Sequence, residues 1–174
     1  SVVNSAQWKE TESSLLGESG NADAGMILYE FIQDGQPAAI DTYTVSGTIR
    51  VLKDNYSGSA TWRRLDLILG TNHISNNIDT TTQNRYSILR MADDVTGTLE
   101  AYSSGFTTGW ATKPTGWSSA DNALNLPAAG DSVDFSYTVS GPHIVFTLGE
   151  ETYTYTSTAS SHKAFGFHVQ YCDV

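Results

Sequence analysis

The chain has 174 residues, of which 39% are hydrophobic and 16% charged, and its formal net charge is −10. That length fits one domain spanning 1–174 with a real core. The acidic balance argues against nucleic acid or an anionic membrane as partner, and the absence of any apolar run near 18 residues excludes membrane insertion by a helix.

Ser and Thr, 20 and 21 of them, make up the uncharged polar surface. Thr suits strands and Ser suits turns, so the excess fits an all-β protein. Such a surface is expected of a secreted, extracellular protein. The start, Ser-Val-Val-Asn, has no basic region followed by an apolar one. We therefore read the chain as a monomeric module of a larger exported protein. Its one cysteine, Cys172, rules out an internal disulfide and reads as a small residue near a strand end.

Taken in order, Val2-Val3 can start an edge strand and Trp8 can dock on the core. Positions 13–24 read as loop, with Gly17 and Gly20 among polar residues. Met26 to Ile32 reads as a strand, closed by the turn signal Asp34-Gly35. From Ile40 to Lys53, Tyr43, Val45, Ile49 and Val51 alternate with Thr42, Thr44, Thr48 and Arg50, the period of a half-buried strand. The following turn holds a sequon, Asn55-Tyr56-Ser57. From Ala60 to Leu69, Leu65, Leu67 and Leu69 face one way, and Trp62, Arg64, Asp66 and Ile68 the other.

A polar loop over 70–84 leads to a hairpin, Arg85–Met91 and Thr96–Tyr102, around Asp93-Asp94. Positions 103–131 are irregular and carry Trp110 and Trp117, a length that points to a binding loop. The last quarter is a run of strands. Val133, Phe135, Tyr137 and Val139 alternate with polar residues, as do Ile144, Phe146 and Leu148, then Tyr153 and Tyr155, then Phe165, Phe167, Val169 and Tyr171. Connections this short imply antiparallel neighbours, with the second layer drawn from 40–105.

The outward face of these strands carries the chemistry. Ala164 and Gly166 leave a low floor beside His168 and Gln170; Trp62, Arg64 and Asp66 come from a second strand and Tyr102 from a third. Tyr86 and Arg90 share a face on a fourth. A sugar needs an aromatic plane for its C–H face and bidentate polar groups for its hydroxyls, and these residue types supply both. Trp110 and Trp117 are further candidate contacts. No strand has two carboxylates at the spacing of a retaining glycosidase, and no nucleophile elbow or phosphate loop occurs. Arg64, His168, Gln170 and a tyrosine match a polysaccharide lyase in residue type. The four histidines, His73, His143, His162 and His168, read as surface residues. If the termini pair, Glu10, Glu12 and Asp173 offer clustered oxygens for a structural calcium; Asp93-Asp94 and the 121–131 stretch are alternatives.

The ending Phe165-Gly166-Phe167-His168-Val169-Gln170-Tyr171-Cys172-Asp173-Val174 resembles the last strand of jelly-roll carbohydrate-binding modules. The pattern over 42–171 is similar to concanavalin A-like lectin and lyase sandwiches. The resemblance implies an antiparallel β-sandwich of jelly-roll type that binds a polysaccharide or oligosaccharide without catalysis, and a calcium site shared by Asp173 and the N-terminal region. Cys172 stands where such modules often have a second acid. Lys163 to Gln170 echoes the Lys-Ala-Gly-x-Tyr-x-Gln strand of alginate lyases with Gln170 one residue out of step, which turns it to the other face. Two alternatives follow: a polysaccharide lyase, and a phage or adhesin receptor-binding domain.

Overall fold

The computed structural model describes residues 1, 3–4, 6–18, 24–52, 62–75, 83–91, 97–102, 130–170 and 173–174. Among these residues there is no helix. The strands are β1 (Val3–Asn4), β2 (Trp8–Glu10), β3 (Leu15–Gly17), β4 (Ala24–Glu30), β5 (Ile32–Gln33), β6 (Gln36–Pro37), β7 (Thr42–Arg50), β8 (Trp62–Thr71), β9 (Gln83–Met91), β10 (Gly97–Tyr102), β11 (Ser132–Ser140), β12 (His143–Leu148), β13 (Glu151–Thr156) and β14 (Ala164–Gln170). Trp110, Trp117, Cys172 and the sequon at Asn55 lie outside the described residues.

The strands form an antiparallel β-sandwich of jelly-roll type. One sheet has the order β1-β4-β14-β8-β9-β10, the other β13-β12-β11-β7. Two small hairpins, β2-β3 and β5-β6, flank them. The turn of the second hairpin places Asp34 at φ 53° and Gly35 at φ 77°, the left-handed pair that a tight hairpin requires.

Alternation explains the layers. Leu65, Leu67 and Leu69 of β8, Val169 of β14 and Ile27 of β4 meet Tyr137, Val139, Ile144, Phe146 and Leu148 of the facing sheet in one buried cluster. Phe135 crosses the gap edge-on to Phe167, with ring centroids 6.1 Å apart. Trp8 packs on Phe167 and donates its indole N–H to the Gly25 carbonyl at 2.9 Å, so the first hairpin is tied to the core.

Three expectations change. β14 does not follow β13 in the sheet; it crosses to the other layer, between β4 and β8. Its partners share its apolar core face, and the seven residues after β13 give it the length to cross. Within 40–105, β7 joins the sheet of β11, while β8, β9 and β10 build the opposite layer. The 13–24 stretch is not all loop: β3 pairs with β2, and Gly17 is held by mutual backbone hydrogen bonds with Val174, both 2.9 Å.

Candidate functional site

The six-stranded sheet brings the separated candidates onto one face. Gln170 pairs with Arg64, which pairs with Leu89 and, beyond it, Thr98. The next row runs Met26, His168, Asp66, Ser87, Glu100. The third runs Leu28, Gly166, Ile68, Arg85, Tyr102. Trp62 pairs with Met91 at the end of the β8-β9 ladder. Directly opposed residues in an antiparallel ladder share a face, so Trp62, Arg64, Asp66, Tyr102, His168 and Gln170 belong to one surface. Tyr86 and Arg90 do not: they pair with Leu67 and Arg63, in the alternation of the core side.

The middle of this surface is closed. Asp66 is fully buried and His168 is 2% exposed. His168 Nδ1 lies 2.9 Å from Asp66 Oδ2, a buried hydrogen-bonded pair between neighbouring strands. Met26, Leu28 and Ile68 form a buried apolar cluster on the same side. The low floor of Ala164 and Gly166 is therefore not a ligand platform. A Cβ on Gly166 would lie 2.1 Å from the Ile27 carbonyl oxygen, so the glycine is there to let β4 approach. Asp66 and His168 can hold together β8 and β14, the strands that carry Arg64 and Gln170.

His162 and His168 are both buried, against the surface expected for them. His162 sits where the two layers meet, its Nδ1 3.2 Å from the Tyr43 hydroxyl. Tyr43 donates to the Leu69 carbonyl at 2.6 Å. Desolvation lowers the His162 pKa to about 4 and raises that of Tyr43. This group is structural in its geometry: Gly70 lies against it with no room for a Cβ.

The termini do meet, through a backbone bridge between Asp173 and Glu18. Glu18 is paired with Lys9, and Glu10 lies 3.7 Å from the N-terminal amine of Ser1. The Glu10 carboxyl is held below its ordinary pKa first by a hydrogen bond with Ser1, with Tyr29 contributing. Among the described residues no group of three or more His, Cys, Asp or Glu is arranged to hold a metal ion.

Register also pairs residues that alternation along single strands left apart. Arg63 opposes Arg90 on the core side of the β8-β9 ladder, while Arg64, next along β8, takes the other side. The signal in the sequence is an Arg-Arg pair in an acidic chain, but its partner on β9 appears only once the hairpin is aligned.

No family model matches the chain, and no curated protein matches it. Among solved structures it is similar to the carbohydrate binding module CBM66 from Bacillus subtilis, with a TM-score of 0.51 and 13% sequence identity, over 99% of this chain and 87% of that one. At that identity the likeness is one of fold: both are β-sandwiches.

Proposed function

We propose that this protein binds carbohydrate without cleaving it, as an exported module of a larger protein. The observation that carries the reading is the alignment of Trp62, Arg64, Tyr102 and Gln170 on one face of the six-stranded sheet, around a rigid Asp66–His168 pair. The residue types at those register positions, two aromatics, an arginine and a glutamine, are those that suit a sugar. The similarity of fold to a carbohydrate binding module supports it. The lyase alternative is weakened by His168, which is bonded to Asp66 and 2% exposed, out of reach of a sugar as a proton donor.

The test is native affinity electrophoresis against a panel of neutral and acidic polysaccharides. Retardation by one polymer, unchanged in chain length, is the expected result, and Trp62→Ala, Trp110→Ala and Trp117→Ala identify the rings involved. Shortened polymer would make the protein an enzyme. No retardation by any polymer would overturn the reading and favour the receptor-binding alternative.

A further inference from the structure

The two sheets are unequal in width. Six strands face four, so part of the inner face of the wider sheet has no strand opposite it. Half-buried side chains mark the uncovered part. Tyr29 of β4 and Phe165 of β14 pair across the ladder on the core side, yet neither is fully buried. Phe31, just past β4, and Tyr43 of β7, an outermost strand of the narrower sheet, are half-buried as well. By contrast Leu67, Val139, Phe146 and Val169, on the same inner faces, have no exposed surface.

The four rings are in contact. Tyr29 stacks on Phe165 with centroids 5.3 Å apart and planes at 22°. Phe165 meets Phe31 at 5.7 Å, and Phe31 meets Tyr43 at 4.6 Å. One aromatic surface therefore runs from the six-stranded sheet across the open edge to β7. Polar groups border it. The exposed Glu10 carboxylate accepts a hydrogen bond from the Tyr29 hydroxyl and lies 3.7 Å from the Ser1 amine. Lys163 is exposed, and its carbonyl accepts the N–H of Phe31 at 2.8 Å.

Resting on the carbohydrate-binding reading, we infer that this open edge, built of Tyr29, Phe31, Tyr43 and Phe165, is a second sugar-binding position and takes the ring of an uncharged polysaccharide. The aromatic planes receive the C–H face of a sugar, and the Glu10 carboxylate accepts from its hydroxyls. The rings are fixed by one another, so the sugar meets them already ordered. The site is distinct from the Arg64 and Gln170 face, because Phe165 and Gln170 take opposite sides of β14. Charge selects the ligand. Glu10 and Lys163 are of opposite sign, and a protein of net charge −10 repels a polyanion. Area argues against a second copy of the chain. An aromatic side chain accounts for about 150 to 250 Å², so four half-buried rings leave at most roughly 500 Å² open, short of the about 800 Å² per partner of a stable protein interface.

The first experiment needs no substitution. Hydroxyl-radical footprinting of the whole chain is read by mass spectrometry, alone and with dextran, galactomannan, a mixed-linkage β-glucan or polygalacturonate. The expected result is that one neutral polymer lowers oxidation of Tyr29, Phe31 and Phe165 at least threefold and that polygalacturonate leaves it unchanged. Titration calorimetry with that polymer then compares the whole chain with Phe31→Ala, checked for an unchanged unfolding midpoint, and at least tenfold weakening is expected. Binding of a neutral polymer that leaves these rings unprotected, or that the folded variant does not weaken, would overturn the assigned position and leave carbohydrate binding standing. Binding of polygalacturonate alone would overturn the uncharged ligand. Binding of no polymer would remove both readings.

Discussion

His162 Nδ1 lies 3.2 Å from the hydroxyl of Tyr43, a residue 119 positions earlier in the chain. The Tyr43 proton is committed to the Leu69 carbonyl at 2.6 Å, so the hydroxyl oxygen can only accept, and His162 must carry its proton on Nδ1. One contact thereby joins β7, the end of β8 and the segment that leads into β14. Backbone hydrogen bonds between Ile40 and His162, at 2.8 and 2.9 Å, complete the junction.

That junction makes stability depend on pH. Burial lowers the His162 pKa to about 4 from the ordinary 6.5, so between these values the unfolded chain binds the proton and the folded one does not. The contribution is whole above about pH 6.5 and is lost as pH falls toward 4, by roughly 2 to 3 kcal/mol. Urea unfolding at pH 7 and pH 4 should show the wild-type chain losing that much more than His162→Gln. Equal losses in the two proteins would show that other groups set the acid sensitivity.

Three glycines should rank by what surrounds them. Gly166→Ala drives a Cβ to 2.1 Å from a backbone oxygen and should cost upward of about 3 kcal/mol. Gly70→Ala meets the ring of His162 at 2.5 Å and the hydroxyl of Tyr43 at 2.6 Å, which can shift in part, and should cost about 2 to 3 kcal/mol. Gly35→Ala has open space and only its φ of 77° against it, for about 1 kcal/mol. Thermal unfolding of the three variants checks the order; a Gly166 variant as stable as the Gly35 variant would contradict the close approach of β4.

The Asp66–His168 pair should behave as a buried pair does. Asp66→Ala leaves His168 buried without its carboxylate and should cost about 3 to 5 kcal/mol, whereas replacing both residues by Leu should recover much of that. A double-mutant cycle by chemical denaturation measures the coupling. Coupling near zero would mean that the two side chains are held by other neighbours.

Tyr137 presents the opposite case. Its hydroxyl is buried with no hydrogen-bond partner among the described residues, and burial raises its pKa well above the ordinary value. Tyr137→Phe removes the desolvated oxygen and leaves the ring packing, so stability should be unchanged or rise by about 1 kcal/mol. A loss above about 1 kcal/mol in urea unfolding would reveal a partner for the hydroxyl.

Much of the fold was legible because strands report their two faces directly. Tyr43, Val45 and Ile49, the leucines of β8, Val133, Phe135, Tyr137 and Val139 of β11, Ile144, Phe146 and Leu148 of β12 and Phe165, Phe167 and Val169 of β14 alternate and line the space between the sheets. Trp8 docks where a lone aromatic in a polar segment suggests. Alternation fails on the far side of β8 and β14. Asp66 and His168 are polar, and polar residues on a strand are read as solvated, yet these two are buried and bonded to one another. Gly166 read as a floor for a ligand, and the clash that explains it involves a carbonyl on another strand.

The sequence by itself determined the all-β class, most strand positions and which face of each strand is apolar, because a period of two is a local property of the chain. Only the tertiary structure decided strand order, and strand order is what makes a surface. It moved β14 away from β13 to lie against β8, set Gln170 beside Arg64 and Arg63 opposite Arg90, and sent Asp173 to Glu18 instead of Glu10 or Glu12. Such pairings join residues as far apart in the chain as Glu18 and Asp173. They are selected by how whole apolar faces fit together, a quantity that no short stretch of sequence contains.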